Sequence, residues 1–184
     1  MRIVIGVTGG IAAYKTATVV SALAQRGHEV TVCMTPGAMN LVAPLTFQAL
    51  SGRAVLTSIF EHAEPTDPQH IRVASCDVAL VAPCTMDCLA NLAHGHASDI
   101  VTLVLSAIDR TKTPVYLAPS MNVTMWGQPS TRRNVAQLEA DGYRMIGPGE
   151  GWQACREVGA GRMAEPDEIL RVLEAALAGG SQDS

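Results

Sequence analysis

The sequence predicts an α/β fold: a doubly wound parallel sheet with helices on both faces, in one domain. Three observations predict it. Short apolar, β-branched runs alternate with stretches of helical spacing, the order expected of βαβ units. Four of these runs stop at glycine or proline, so each is only long enough for a buried strand. The composition is 48% hydrophobic yet only 4% aromatic. Alanine, valine and leucine must therefore fill the core, as suits helices packed closely on a buried sheet. A chain of 184 residues has the size of one domain. It can bury roughly 70% of the surface it exposes when unfolded, so its core needs no disulfide or metal.

Taken in order, residues 2–7 form the first apolar run and end in Thr8-Gly9-Gly10. Residues 11–26 have helical spacing, with Ile11, Tyr14, Val19, Leu23 and Ala24 available for one face. Gly27 is placed to stop that helix in a left-handed cap. Residues 30–34 are the second strand, punctuated by Thr35-Pro36-Gly37, and a helix is expected over 38–51. Residues 78–81 read as a third strand stopped by Pro83, and 115–118 as a fourth stopped by Pro119. Helices are expected over 85–93, 99–107 and 130–141, the last with Gly142 as its stop, followed by a short fifth strand over 143–146. A final helix covers 166–178, with proline in its first turn and Asp167-Glu168 favourable to its dipole. The domain is thus expected over residues 1–178, with 179–184 a disordered tail. Right-handed crossovers make this a Rossmann- or flavodoxin-like layer structure. Ligands in such sheets sit beyond the carboxyl ends of the strands, which selects residues 8–11, 35–37, 83–87 and 119–126. Two long irregular stretches, 52–69 and 147–165, are further candidates for function.

Charge and cysteine usage narrow the class. The formal net charge is -4, and only two of the 13 basic residues are lysines, Lys15 and Lys112. They are scattered, so no nucleic-acid partner is expected. No apolar stretch approaches the length of a membrane span, and the first apolar run is too short for a signal-peptide core. The expected compartment is the cytoplasm. Five cysteines, an odd number with no export signal, argue for reduced thiols.

Thr8-Gly9-Gly10 joins the first strand to a helix. Glycines there admit a ligand close to the backbone, and the helix N-terminus offers free N–H groups to a phosphate; a tight turn alone would use the same residues. Neither a Walker loop nor Gly-x-Gly-x-x-Gly is present. A dinucleotide site also wants an acid at the end of the second strand, where Met34 and Thr35 stand instead. A mononucleotide phosphate is therefore preferred to NAD. Cys84 and Cys88, with His94 and His96 nearby, could suggest a soft metal. Buried small thiols are the better reading, and no metal is expected. His70 follows an acidic, proline-marked loop and is either catalytic or solvated. Asn122 either acts in a site or caps a turn. Cys155, in a glycine-rich loop near two arginines, Arg156 and Arg162, is either a reactive thiol or an incidental surface residue.

Together these segments resemble the flavin-dependent cysteine decarboxylases. Gly9-Gly10-Ile11-Ala12-Ala13-Tyr14-Lys15 is similar to the family's phosphate turn, and His70-Ile71 to its active-site histidine motif. Pro119-x-Met121-Asn122-x-x-Met125-Trp126 matches the family at every defined position. Ala154-Cys155 through Gly161-Arg162-Met163 resembles its substrate-clamp loop. The likeness spans about residues 2–170. Asp87 stands where the family often has asparagine, and Arg156 where glycine is common. The synthetase domain that many bacterial relatives carry is not among these 184 residues.

The resemblance implies FMN as cofactor, its phosphate at Gly9, Gly10 and Ile11, with Thr35, Thr85, Met86, Asp87 and Ser120 around the rest. It implies phosphopantothenoylcysteine as substrate, decarboxylated to phosphopantetheine in coenzyme A biosynthesis through transient thiol oxidation, CO2 loss and re-reduction of the ene-thiol. His70 is implied in the oxidation, Asn122 at the substrate carboxylate and Cys155 as final proton donor, with Met125 and Ala154 also at the substrate. It further implies a homo-oligomer built from trimers, with His70 serving a flavin bound mainly by another subunit. The alternatives are a peptidyl-cysteine decarboxylase, which stops at the ene-thiol and needs no Cys155, and a non-catalytic flavoprotein.

Overall fold

The computed structural model describes residues 1–60 and 68–179. Five parallel strands form the central sheet: β1 (Arg2–Val7), β2 (Glu29–Met34), β3 (Val78–Cys84), β4 (Val115–Pro119) and β5 (Arg144–Met145). Their spatial order is β2-β1-β3-β4-β5. The chain thus moves outward from β1 to β2 and returns past β1 to β3. That reversal opens a crevice beyond the carboxyl ends of β1 and β3, the flavodoxin-like switch point.

Period-two alternation decides which side chain enters which core. Ile3, Ile5 and Val7 of β1 and Val78, Leu80 and Ala82 of β3 join one buried cluster. Val4 of β1 and Ala79, Val81 and Cys84 of β3 join the other. The first face is covered by α1 (Ala13–Gln25), α3 (Pro44–Ser51) and α9 (Pro166–Gly179), through residues such as Leu23, Phe47 and Leu173. The second is covered by α4 (Gln69–Ala74), α5 (Met86–Ala93), α6 (Ile100–Ser106) and α8 (Pro129–Ala140), through Val73, Leu89, Val104 and Leu138. Gly6 lets α6 come close, since a Cβ there would lie 2.6 Å from Val101 Cγ1. The capping is local chemistry. Asp99 closes a capping box at the start of α6, and Gly27 and Gly142 take positive φ values after α1 and α8.

Several boundaries differ from the sequence expectation, each for a physical reason. The helix expected over 38–51 is two helices, α2 (Pro36–Met39) and α3, because Pro44 cannot continue the first and instead opens the second. β3 runs on through Pro83 with a register irregularity between Val81 and Cys84, as proline supplies no N–H to the ladder. Ile11 and Tyr14, grouped above with Val19 and Leu23 on one helix face, are 60% and 62% exposed. The stretch 52–69 contains Leu56, which bridges to Cys33, and its residues 61–67 lie outside the described residues. The stretch 147–165 is an antiparallel hairpin, β6 (Gly149–Trp152) and β7 (Val158–Arg162). A one-turn helix, α7 (Val123–Gly127), follows β4. α9 extends through Gly179, one residue into the expected tail, and the rest of that tail lies outside the described residues.

Candidate active site

A cavity of about 1150 Å³ occupies the switch point. Its floor is made by two strand-to-helix turns held together through Thr8. The Thr8 hydroxyl donates to the Pro83 carbonyl at 2.7 Å and accepts the Thr85 N–H at 3.1 Å. Gly9 lies against the turn after β2, where an added Cβ would stand 3.1 Å from the Gly37 backbone. Gly10 lies against Pro83, 3.2 Å from where its Cβ would be. Ala12, the N-cap of α1, makes no side-chain cap. The Ile11 and Ala12 N–H groups have no acceptor among the described residues. A second helix N-terminus meets the same space. Thr85 caps α5 by accepting the Cys88 N–H at 3.3 Å, which leaves the first-turn N–H groups of Met86 and Asp87 without an intrahelical partner. Thr35 caps α2 through the Ala38 N–H. Gly9, Gly10, Ile11, Thr35 and the 85–87 segment all line the cavity. The floor is a cradle of backbone donors shaped for an anion.

The opposite wall comes from the end of β4 and from the hairpin. Ser120, Asn122, Met125, Ala154 and Cys155 line it. Asn122 is the N-cap of α7, and its Oδ1 accepts the Met125 N–H at 2.8 Å. That bond fixes the amide orientation, so Nδ2 is left with two donors and no acceptor among the described residues. Capping and ligand binding, alternatives in the sequence, are compatible uses of one side chain. The hairpin docks here because Gly161 accepts the Met121 N–H at 2.9 Å. Only glycine serves at 161: its φ is +117°, and a Cβ would meet the Met121 carbonyl. Cys155 is exposed near the hairpin tip, its Sγ 3.6 Å from Gln153 Oε1 and 3.7 Å from Glu157 Oε2. Arg156 beside it holds a φ of +67°, a region that glycine occupies at less cost.

His70 does not line this cavity. It is the second residue of α4 and half-buried. Two contacts at the site were not legible in the sequence. Gln153, 7% exposed, hydrogen-bonds to both the hairpin and α7. Lys15 reaches Glu165 at 2.9 Å, and Glu165 also pairs with Arg162, at the cavity rim. Neither carries a periodic signal, because both act between elements distant in sequence. Cys84 and Cys88 are buried neighbours. Donating its S–H to Cys84, together with burial, pushes the Cys88 thiol up. Burial pushes Cys33 up to about 12 and Cys76 to about 11. No cluster of three metal-ligating side chains occurs among the described residues, and no helix there is long and apolar enough to cross a membrane.

The family model described as Flavoprotein matches residues 1–178. The chain belongs to the flavoprotein family. Within that family it groups with the phosphopantothenoylcysteine decarboxylases. It is 38% identical over 177 residues to the probable phosphopantothenoylcysteine decarboxylase of Streptococcus mutans, covering 96% of this chain and 98% of that one. It is 42% identical over 174 residues to the coenzyme A biosynthesis bifunctional protein CoaBC of Bacillus subtilis. That match covers 94% of this chain but 42% of the longer protein, so this flavoprotein spans less than half the length of such bifunctional relatives. Among solved structures, a cysteine-to-serine mutant of PPC decarboxylase complexed with pantothenoylaminoethenethiol superimposes with a TM-score of 0.86 and 27% identity, covering 96% of this chain and 98% of that one. The flavodoxin-like fold read from the sequence is that of these flavoproteins.

Proposed function

We propose that this flavoprotein binds FMN and decarboxylates phosphopantothenoylcysteine to phosphopantetheine, a step of coenzyme A biosynthesis. The observation that carries the reading is one cavity lined by three things: the glycine cradle, the free Asn122 amide donors and the Cys155 thiol. The residues present fit the cofactor. Unpaired N–H groups at Ile11 and Ala12 suit a phosphate monoester. Gly9 and Gly10 leave space that any side chain would fill, and the turn after β2 carries no acid for a second ribose. FMN, when bound, supplies a two-electron acceptor that makes the cysteinyl Cβ–SH unit a thioaldehyde and later returns the pair.

The chain's own residues do the rest. The phosphate sits at the Gly9-Gly10-Ile11 turn, held by the unpaired N–H groups of Ile11 and Ala12; Thr35, Thr85, Met86, Asp87 and Ser120 surround the remainder. Asn122 donates through Nδ2 to the substrate carboxylate and orients it for loss as CO2, while Met125 and Ala154 contact the chain behind it. His70 moves the proton of the oxidation half. Because His70 lies outside its own chain's cavity, it serves the site of a neighbouring subunit in a trimer-based assembly. After CO2 leaves, an ene-thiolate remains, and the Cys155 S–H donates the proton that returns its carbon to saturation. Reduced thiols and the absence of a long apolar helix among the described residues fit a cytoplasmic enzyme. The test is anaerobic incubation of the FMN-loaded protein with phosphopantothenoylcysteine, and in parallel with a peptide ending in cysteine, with products identified by mass. Phosphopantetheine from the first and no change in the second is expected. Turnover of the peptide alone would overturn the substrate assignment.

A further inference from the structure

We propose that Gln153 is the positioning residue of the last proton transfer: its one amide fixes the Cys155 thiol relative to the turn that carries Asn122. The inference rests on the function proposed above. Gln153 is 7% exposed and lines the cavity, and every polar atom of its side chain is used. Nε2 donates to the Ala160 carbonyl at 3.0 Å and the Gly159 carbonyl at 3.3 Å, both on β7. Oε1 accepts the Val123 N–H at 3.1 Å, next to Asn122, and faces Cys155 Sγ at 3.6 Å. The amide cannot be turned over. Reversal would set Oε1 against two carbonyl oxygens and Nε2 against an N–H donor.

The Oε1 lone pairs are therefore held in place, and one of them receives the S–H. Both groups that the reading brings to the substrate's Cα are thereby tied to one side chain. Asn122 is held through its neighbour's N–H, and Cys155 through its thiol. In the transfer, the Cys155 S–H bond breaks and a C–H bond forms at the carbon that lost CO2. The electron pair that completes the reduction is the one the substrate gave to the flavin earlier in the cycle. Cys155 is exposed, so solvent returns its proton.

The test measures the share of product two hydrogens lighter than phosphopantetheine, the species left when decarboxylation is not followed by protonation. A residue that merely supported the fold would lower yield without moving this share. Four FMN-loaded proteins are compared: wild type, Cys155→Ser, Gln153→Leu and Glu157→Gln. The expected result is the lighter product from Cys155→Ser, a share raised about fivefold or more in Gln153→Leu, and a wild-type share in Glu157→Gln. If Cys155→Ser itself yields only phosphopantetheine, the proposed function fails. If Cys155→Ser yields the lighter product but Gln153→Leu keeps the wild-type share, the positioning role is overturned. A raised share in Glu157→Gln alone would pass the role to Glu157. Should Gln153→Leu not take up FMN, Gln153→Glu carries the test. Protonated, its carboxyl can donate to Ala160 and still accept the thiol; ionised, it repels both carbonyls. Its lighter share should therefore rise with pH, and a flat profile, or failure of both variants to fold, overturns the role.

Discussion

Cys155 differs from the other four cysteines in ways that chemistry can read. Cys33, Cys76, Cys84 and Cys88 are buried, whereas Cys155 is exposed. Thiolate is the reactive form, and burial holds Cys33 at about 12 and Cys76 at about 11. Iodoacetamide at about pH 8 should therefore alkylate one thiol per native chain, and all five in denaturant. Peptide mass mapping checks this, and modification of Cys84 or Cys88 in the native protein would contradict it. At this scale the sequence was informative where a residue type is rare in its position. Asn122 and Cys155 stood out in loops after predicted strands, and both line the cavity. Gln153 did not stand out, since its four contacts come from Val123, Cys155, Gly159 and Ala160 and need the folded hairpin. Ile11 and Tyr14 misled, because helical spacing cannot tell a core face from a face that lines a cavity.

The elements explain why the floor of the cavity tolerates so little change. Gly9 and Gly37 approach back to back, and a Cβ on Gly9 would meet backbone at 3.1 Å. Gly9→Val should destabilise the fold by about 1–3 kcal/mol, as overpacking does, and weaken FMN binding about tenfold or more. Flavin fluorescence quenching on cofactor-depleted protein, with circular dichroism for the fold, measures both; unaltered affinity would mean that the cradle is not the phosphate site. The strands and long helices were legible because each has one period and one buried face. The hairpin was not. β6 and β7 are glycine-rich, with neither strand showing alternating apolar burial, and among the described residues they pair only with each other. The break at Pro44 is legible in the sequence: a proline inside a helical pattern ends or kinks the helix before it, and Pro44 opens α3.

Across the whole molecule, one residue ties three parts together. The Glu165 carboxylate joins Lys15 of α1 to Arg162 of β7, and its main-chain carbonyl accepts the Ile169 N–H in the first turn of α9. The Lys15 hydrogen bond holds its carboxyl below the ordinary range. With the folded value below the unfolded one, the stabilisation is present above the unfolded value and is lost as pH falls through the folded one. Glu165→Gln should lower the urea midpoint at neutral pH, and the gap from wild type should shrink between about pH 5 and about pH 3. An equal gap at both ends would contradict it.

His70 belongs to this scale as well, because it lies outside its own chain's cavity. Inactive His70→Asn and Asn122→Ala chains, mixed under subunit exchange, should recover part of the activity. No recovery would place His70 elsewhere in the cycle. The central claim is a redox cycle that closes on itself: the pair taken from the substrate returns to the same molecule after CO2 leaves. Its most direct test is the yield of phosphopantetheine per bound FMN with oxygen rigorously excluded. The account predicts many products per flavin, with the flavin oxidised when substrate is exhausted. A reaction that halts at one product per flavin, with the flavin left reduced and the product two hydrogens lighter, would contradict it.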